Sequence, residues 1–255
     1  MAIVFWTKNA APLIPDLDEL HERGYRFTFL YTINNYPALL EPKVPSIDHS
    51  LQTVQRICRQ YPGPVFRWRY DTIVLSESLG RNWHLRNFSM LCDMLAPYTR
   101  KCIFSFCDYY RKTIRNMENR VPDHVRPDEA QCLDMVAAMA DIAAARGITL
   151  ASCAHDFLVS DKVAKARCID PEILFPLVDS PEKKMAVLAL KTVPTRKECG
   201  CAASRDVGAY DTCIHGCAYC YANTNPEQAG RNLAMLRSGS YCLDPWYQTH
   251  HPVSS

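Results

Sequence analysis

The sequence predicts an α/β fold, a partial TIM-like (β/α) barrel of five to six parallel strands with a C-terminal cysteine-rich, cluster-binding segment. Short apolar runs rich in aromatic and β-branched residues alternate with helix-like stretches as far as Cys153. Such alternation favours a parallel sheet with right-handed crossovers, wound as a barrel or an open doubly wound sheet. No glycine-rich phosphate-binding motif follows any run, which argues against a dinucleotide-binding fold.

Five strands are predicted, and each is a short apolar run that ends at polar residues. They cover 3–6, 25–33, part of 65–75, 102–106 and 148–153. Helices are predicted over 16–23, 46–61, 82–95 and 127–146, with shorter ones over 169–178 and 226–236. Ser46 is a helix N-cap, and Gly24 and Gly147 follow helix ends. We therefore expect a partial barrel over 1–180, a cysteine-rich segment over 181–237 packed on it, and a loose tail over 238–255.

Composition excludes several classes of protein. The 255 residues are 48% hydrophobic with a net charge of +2, which is ordinary for a globular chain and gives no general attraction to nucleic acid or membrane. The N-terminus lacks the pattern of a signal peptide, and no apolar run is long enough to span a membrane. We therefore expect a cytoplasmic protein. In the reducing cytoplasm, clustered thiols more often bind metal than form disulfides.

Five of the thirteen cysteines fall between residues 199 and 220: Cys199, Cys201, Cys213, Cys217 and Cys220. The last three are spaced C-x3-C-x2-C, with Tyr219 directly before Cys220 and Gly216 in the intervening loop. Three thiolates so close together can bind three irons of a [4Fe-4S] cluster and leave the fourth iron open. A structural zinc held by Cys199, Cys201, Cys217 and Cys220 is the alternative, and disulfides or buried thiols are further ones.

Polar residues follow the predicted strands at their carboxyl ends: Lys8, Asn34, Asp71, Asp108 and Cys153. In parallel α/β folds the reactive groups gather at these ends, so we expect these residues to share one cavity. Arg67, Arg69 and Asp71 alternate and must face the same way, either as a structural ion pair or in a wet cavity. Cys153 and Cys168 are either buried thiols or further ligands or active-site groups.

The segments Phe5-Trp-Thr-Lys-Asn9, Trp68-Arg-Tyr-Asp71, Ser105-Phe-Cys-Asp108, Cys168-Ile-Asp170 and the run from Asp206 to Asn223 resemble the bacterial family catalogued as domain of unknown function 1848. Its C-terminal cysteines are similar to those of radical S-adenosylmethionine (SAM) enzymes. Members are labelled DNA repair photolyases because of a likeness to spore photoproduct lyase around the cysteines. The family pattern also has a strand and helix with an Arg-Arg-Thr-Asp motif upstream of the first strand here.

The resemblance implies SAM-dependent radical chemistry on an unknown substrate, for which nucleic acid is a candidate. Cys213, Cys217 and Cys220 would ligate the cluster, and Tyr219, Asn34 and His215 would contact the cofactor. Asp71, Asp108, Arg69 and Lys8 would position SAM or substrate, and Cys199 and Cys201 would hold a second metal or supply a late ligand. A flavodoxin or ferredoxin would donate electrons. Radical SAM enzymes carry their cysteines after the first strand and a Gly-Gly-Glu segment after the second, whereas here the cysteines come last and no Gly-Gly occurs. The rival interpretation is a non-catalytic metal-binding module.

Overall fold

The computed structural model describes residues 2–235. The chain divides into two compact units. Unit 1 comprises the chain up to Asn35, Pro45–Cys107 and Val125–Ser204, and unit 2 comprises Tyr36–Val44, Asp108–His124 and the chain from Arg205 onward. The predicted loose tail lies outside the described residues. In the part of the chain that is described, no helix is both long and apolar enough to cross a membrane.

Unit 1 is built on a six-stranded sheet in which every neighbouring pair of strands is parallel. Its strands are β1 (Ala2–Thr7), β2 (Arg26–Thr32), β3 (Phe66–Ile73), β5 (Lys101–Phe106), β7 (Thr149–Ser152) and β8 (Val163–Lys165). Two-residue strands β4 (Leu75–Ser76) and β6 (His124–Val125) form a separate sheet.

The six strands lie in the order β1-β2-β3-β5-β7-β8, so each new strand is added on the same side of the last. A doubly wound sheet would reverse direction once, and this one does not. The predicted parallel α/β architecture is therefore confirmed and resembles part of a barrel. Within the described residues β1 and β8 are edge strands, and no closed barrel is seen.

The helices of unit 1 are α1 (Leu17–Glu22), α2 (Ile47–Gln60), α3 (Arg81–Leu95), α5 (Glu129–Ala144), α6 (Pro171–Leu174) and α7 (Pro181–Leu188). Ser46 caps α2 by accepting a hydrogen bond from the His49 amide at 3.3 Å. Asp128 and Gln131 form a reciprocal capping box that begins α5. Unit 2 contains α4 (Arg111–Arg120) and α8 (Pro226–Met235).

The two faces of the sheet have different chemistry. Large apolar side chains point to one face, here called the outer face, and pack against α2, α3 and α5. They include Phe29, Trp68 and Phe104, all fully buried. Because side chains alternate along a strand, the residues between them point to the opposite, inner face. The inner face carries the charged residues of β3, and Cys153, Cys168, Cys199 and Cys201 pack there with Leu30 and Ile103.

Candidate functional site

Strand β3 places three charged side chains on the inner face: Arg67, Arg69 and Asp71. In the parallel register Arg69 is paired with Ile103 of β5, and Asp71 is paired with Ser105. The three charged side chains therefore point to the same face, as predicted. They differ in the residues that each of them contacts.

Asp71 is held from three sides. Its Oδ2 lies 2.6 Å from Nη2 of Arg69, and its Oδ1 accepts a short hydrogen bond from the Ser105 hydroxyl. Asn34 fixes the backbone at the same residue, since its side-chain amide donates to the Asp71 carbonyl and accepts from the Asp71 amide, both at 2.9 Å. The Arg69 guanidinium also lies 5.7 Å from the ring centroid of Trp6, whose side chain is half-exposed. A carboxylate fixed in this way can accept hydrogen bonds from a ligand without reorganising.

A buried hydrogen-bonded chain supports Asn34 from the outer face. Asn87 Nδ2 donates to the Asn34 carbonyl at 2.8 Å and to the Tyr70 hydroxyl at 3.2 Å. That hydroxyl lies 2.7 Å from His84 Nδ1, and His84 Nε2 lies 2.9 Å from the carbonyl of Val74. Since a carbonyl only accepts, Nε2 carries the proton and Nδ1 accepts from Tyr70. Burial lowers the pKa of His84 to about 4, so the ring is neutral near pH 7.

Arg67 braces the segment that follows β8. Its guanidinium donates to the carbonyls of Cys168 at 2.6 Å and Arg167 at 3.1 Å, and lies 3.6 Å from the carboxylate of Asp170. Asp170 also lies 3.5 Å from the ammonium of Lys101. Arg67 and Asp170 are both buried, so this ion pair is structural. Of the two alternatives for the charged strand, the structural ion pair applies to Arg67. The Arg69–Asp71 pair is more exposed, which fits a wet cavity.

Four cysteines of unit 1 converge beside this brace: Cys153, Cys168, Cys199 and Cys201. All four are buried in one cluster with Leu30 and Ile103 of the inner face. The sulfur atoms of Cys153 and Cys168 lie 3.9 Å apart, and the Cys168 amide donates to Cys201 Sγ at 3.2 Å. Cys199 Sγ lies 3.5 Å from the hydroxyl of Thr195.

The environment of these thiols differs from that of the other buried cysteines. The Cys168 thiol and then the Arg196 guanidinium, 3.4 Å from Cys153 Sγ, lower the pKa of Cys153 to about 6. The same Cys168 thiol is the main cause that lowers the pKa of Cys201 to about 5. By contrast, burial alone raises the pKa of Cys58 to about 11. The pKa of Cys168 itself is raised, chiefly by its contact with Cys153, so this cluster of thiols favours the thiolate at Cys153 and Cys201 and the thiol at Cys168.

The three clustered cysteines of the sequence motif lie in a loop of unit 2 without regular secondary structure. Cys213 is exposed, and Cys217 and Cys220 are half-buried. Gly216 has φ of 67°, a left-handed conformation that favours glycine, and it turns the chain between the first two cysteines. The loop therefore holds its thiols at the surface of unit 2.

The loop is anchored through its backbone. Arg120 of α4 donates to the carbonyls of Gly216 at 2.6 Å and Leu39 at 3.0 Å. Asn223 donates to the Cys213 carbonyl at 2.5 Å, and the Ala218 amide donates to the carbonyl of Leu40 at 2.9 Å. Across residues 2–235, no three His, Cys, Asp or Glu side chains already surround a common metal position.

The remaining predicted residues are distributed over both units. In unit 2, the Tyr219 hydroxyl donates a short hydrogen bond to Glu41, and its ring packs edge-on to Tyr36 with centroids 6.2 Å apart. Burial raises the pKa of Tyr219. His215 Nδ1 lies 3.0 Å from the Lys43 carbonyl, and Asp108 is half-buried just after β5. Lys8 of unit 1 is half-buried just after β1.

The sequence model of the family described as Domain of unknown function (DUF1848) matches residues 1–222. The chain belongs to this family. No curated protein and no solved structure matches the chain.

Three site residues of this DUF1848 chain were missed by the sequence analysis: Trp6, Ser105 and Arg196. Strand alternation could have identified Ser105, because it shares the inner face with Ile103 and its register neighbour is Asp71. The structure also separates Cys199 and Cys201, in unit 1, from Cys213, Cys217 and Cys220, in unit 2. No local sequence signal indicates that separation.

Proposed function

We propose that this DUF1848 chain is an iron–sulfur protein in which Cys213, Cys217 and Cys220 bind a [4Fe-4S] cluster. We further propose that it uses the cluster with SAM in radical chemistry on an unknown substrate. The observation that carries the proposal is that Cys213 is exposed and Cys217 and Cys220 are only half-buried, on a loop anchored by its backbone.

Cysteines that serve only as packing are usually buried. Cys92 and Cys102 follow that rule and are fully buried, whereas Cys213 is exposed and Cys217 and Cys220 are half-buried. Packing therefore does not explain the three loop residues, and metal ligation does, since thiolates close in sequence are the ligands of such clusters. Three thiolates would bind three of the four irons and leave the fourth for SAM.

The hydrogen bonds that anchor the loop are compatible with cluster binding by its three cysteines. Arg120 and Asn223 bind the carbonyls of Gly216 and Cys213, which fixes the backbone that carries the cysteines. When bound and reduced, the cluster would supply the electron that cleaves SAM. At the inner face of unit 1, Asp71 would accept hydrogen bonds from a donor group of the ligand, and Arg69 beside Trp6 would contact an acidic or aromatic group.

The test is anaerobic expression with ample iron, followed by iron, sulfide and zinc analysis and visible spectroscopy. We expect a brown protein, and we expect Cys213→Ala, Cys217→Ala and Cys220→Ala each to lose the visible absorption. Cys92→Ala is the matched control and should keep it, because Cys92 lies in the core of the outer face. Absorption that survives each loop substitution would contradict the proposed ligands.

The use of SAM needs a separate measurement. Adding SAM to the reduced protein should change its paramagnetic resonance spectrum, and dithionite with SAM should slowly release 5′-deoxyadenosine. A brown protein that does not respond to SAM would favour a non-catalytic cluster module. A colourless protein with zinc at the loop would refute the radical-enzyme proposal.

A further inference from the structure

Four of the cysteines of unit 1, which are Cys153, Cys168, Cys199 and Cys201, form a second thiol group. Cys153 follows β7, Cys168 follows β8, and Cys199 and Cys201 come from a later segment. We propose that these four residues bind a single thiophilic metal ion, which we expect to be zinc. This site does not depend on the cluster proposed for the loop of unit 2.

The backbone around this group is built to bring the two segments together. The Ala202 amide donates to the Ile169 carbonyl at 3.0 Å, and the Cys168 amide donates to Cys201 Sγ. Gly200, between the two cysteines, lies so close to β8 that a Cβ there would stand 3.2 Å from the Ala166 carbonyl oxygen. A side chain at position 200 would push the two segments apart. The Cys-Gly-Cys spacing therefore serves the approach of its cysteines to Cys168.

The sulfur spacing favours one metal ion over a four-iron cluster. In a tetrahedral zinc site with Zn–S bonds of about 2.3 Å, two sulfur atoms lie roughly 3.8 Å apart. The Cys153–Cys168 sulfur distance of 3.9 Å matches that edge. A cuboidal cluster separates its cysteine sulfurs much more, because each binds a different iron.

The charges around the group also fit a tetrathiolate site, which has a net charge of −2 with zinc. Arg196 donates to Cys153 Sγ at 3.4 Å, and the Arg67 guanidinium lies within electrostatic range of Cys168 and Cys201. Arg67 also fixes the Cys168 carbonyl at 2.6 Å, so a cation braces the backbone of one ligand. The N–H···S bond to Cys201 is the kind of outer contact that orients a ligating thiolate.

The sulfur atoms of Cys153 and Cys168 lie 3.9 Å apart, the Cys168 amide donates to the sulfur of Cys201, and Cys199 packs in the same cluster. No three of them surround one point in the part of the chain that is described. Binding a metal therefore requires the side chains to turn towards a shared centre. Because all four are already buried within one cluster, this is a local rearrangement.

The experiment uses the full chain with Cys213, Cys217 and Cys220 all changed to Ala, purified with zinc under reducing conditions. We expect one zinc per chain, with X-ray absorption showing four sulfur ligands at about 2.3 Å. Adding Cys168→Ser to that chain should remove the zinc, whereas adding Cys92→Ser should not. Circular dichroism melts establish that each variant is folded.

A zinc-free triple variant would overturn the proposal, and so would zinc with nitrogen or oxygen ligands, or zinc retained by folded Cys168→Ser. If Cys168→Ser does not fold, the sulfur count of the triple variant decides. If the triple variant does not fold, Cys168→Ser is made in the wild-type chain grown without added iron, where it should remove a zinc that has four sulfur ligands. The proposal does not rest on the loop cluster, whose loss leaves this result unchanged.

Discussion

Arg69 and Asp71, two residues apart on β3, form an ion pair on the inner face with Nη2 of Arg69 2.6 Å from Oδ2 of Asp71. Their side chains are 14% and 19% exposed, so the pair is neither buried in the core nor free in solvent. Asp71 also accepts from Ser105 and is fixed through its backbone by Asn34. The carboxylate is therefore held in place and still accessible to a ligand.

This arrangement predicts different effects for two changes at Asp71. Asp71→Asn keeps one side-chain oxygen, which can accept from Arg69 or from Ser105 but not from both as the two carboxylate oxygens do, and should cost about 1–2 kcal/mol of stability. Asp71→Ala leaves the guanidinium without its carboxylate and should cost more, up to about 3 kcal/mol. Urea unfolding of both variants measures the difference. Equal losses would show that the hydrogen bonds of Asp71 do not contribute to stability.

The buried His84 predicts a pH dependence of stability. Its pKa falls from 6.5 to about 4 on folding, so the folded chain favours the neutral ring. Its contribution is complete above pH 6.5 and is lost as the pH falls towards about 4, at a total of roughly 3 kcal/mol. Urea unfolding between pH 7 and 4 measures the slope. His84→Gln should flatten that part of the curve, and an unchanged slope would assign it to other groups.

The buried pair of Arg67 and Asp170 predicts a large loss of stability when one partner is removed. Arg67→Met removes the positive charge beside the buried Asp170 carboxylate and the donors to two carbonyls. It should lower the free energy of unfolding by about 3–5 kcal/mol. The control is Arg23→Met, since Arg23 pairs with Glu19 on an exposed helix surface and should cost no more than about 0.5 kcal/mol. Thermal melts of both variants test this. Similar melting temperatures would contradict a structural role for Arg67.

The hydrogen bond between Tyr219 and Glu41 predicts that removing the Tyr219 hydroxyl alone lowers stability. Tyr219→Phe removes a donor from a buried carboxylate and should destabilise unit 2 by about 1–3 kcal/mol. Tyr221→Phe is the matched control, because that side chain is exposed and its change should stay within about 0.5 kcal/mol. Hydrogen exchange of residues 205–225 reports on the loop itself. Equal exchange in both variants would argue against this bond as an anchor of the cysteine loop.

The parallel fold could be predicted because most strands are apolar runs that end at polar residues. β8 has only three residues, Val-Ala-Lys, and gives no periodic signal. α4 was missed because its sequence is dominated by charged and polar residues, with Ile114 and Met117 as its large apolar side chains. It is formed in unit 2, where Arg120 binds the loop backbone.

The candidate site could be predicted only where a local rule applied. Alternation along β3 correctly placed Arg69 and Asp71 on one face. The grouping of Cys153 with Cys168, Cys199 and Cys201 depends on the pairing of β7 with β8 and on the return of a distant segment. Spacing along the chain associates Cys199 and Cys201 with the nearer cysteines instead, and so gives no indication of the arrangement in unit 1.

The late cysteines of unit 1 also affect the order in which the chain can fold during synthesis. Leu30 of β2 packs in the same cluster as Cys201, 171 residues later. At translation rates of about 5–20 residues per second, that separation corresponds to roughly 9–34 s. The helices of the outer face can pack on the early strands as they emerge, but the inner face stays uncovered for this interval. The nascent chain therefore exposes Arg67, and later the thiols of Cys153 and Cys168, before residues 199–201 have been made.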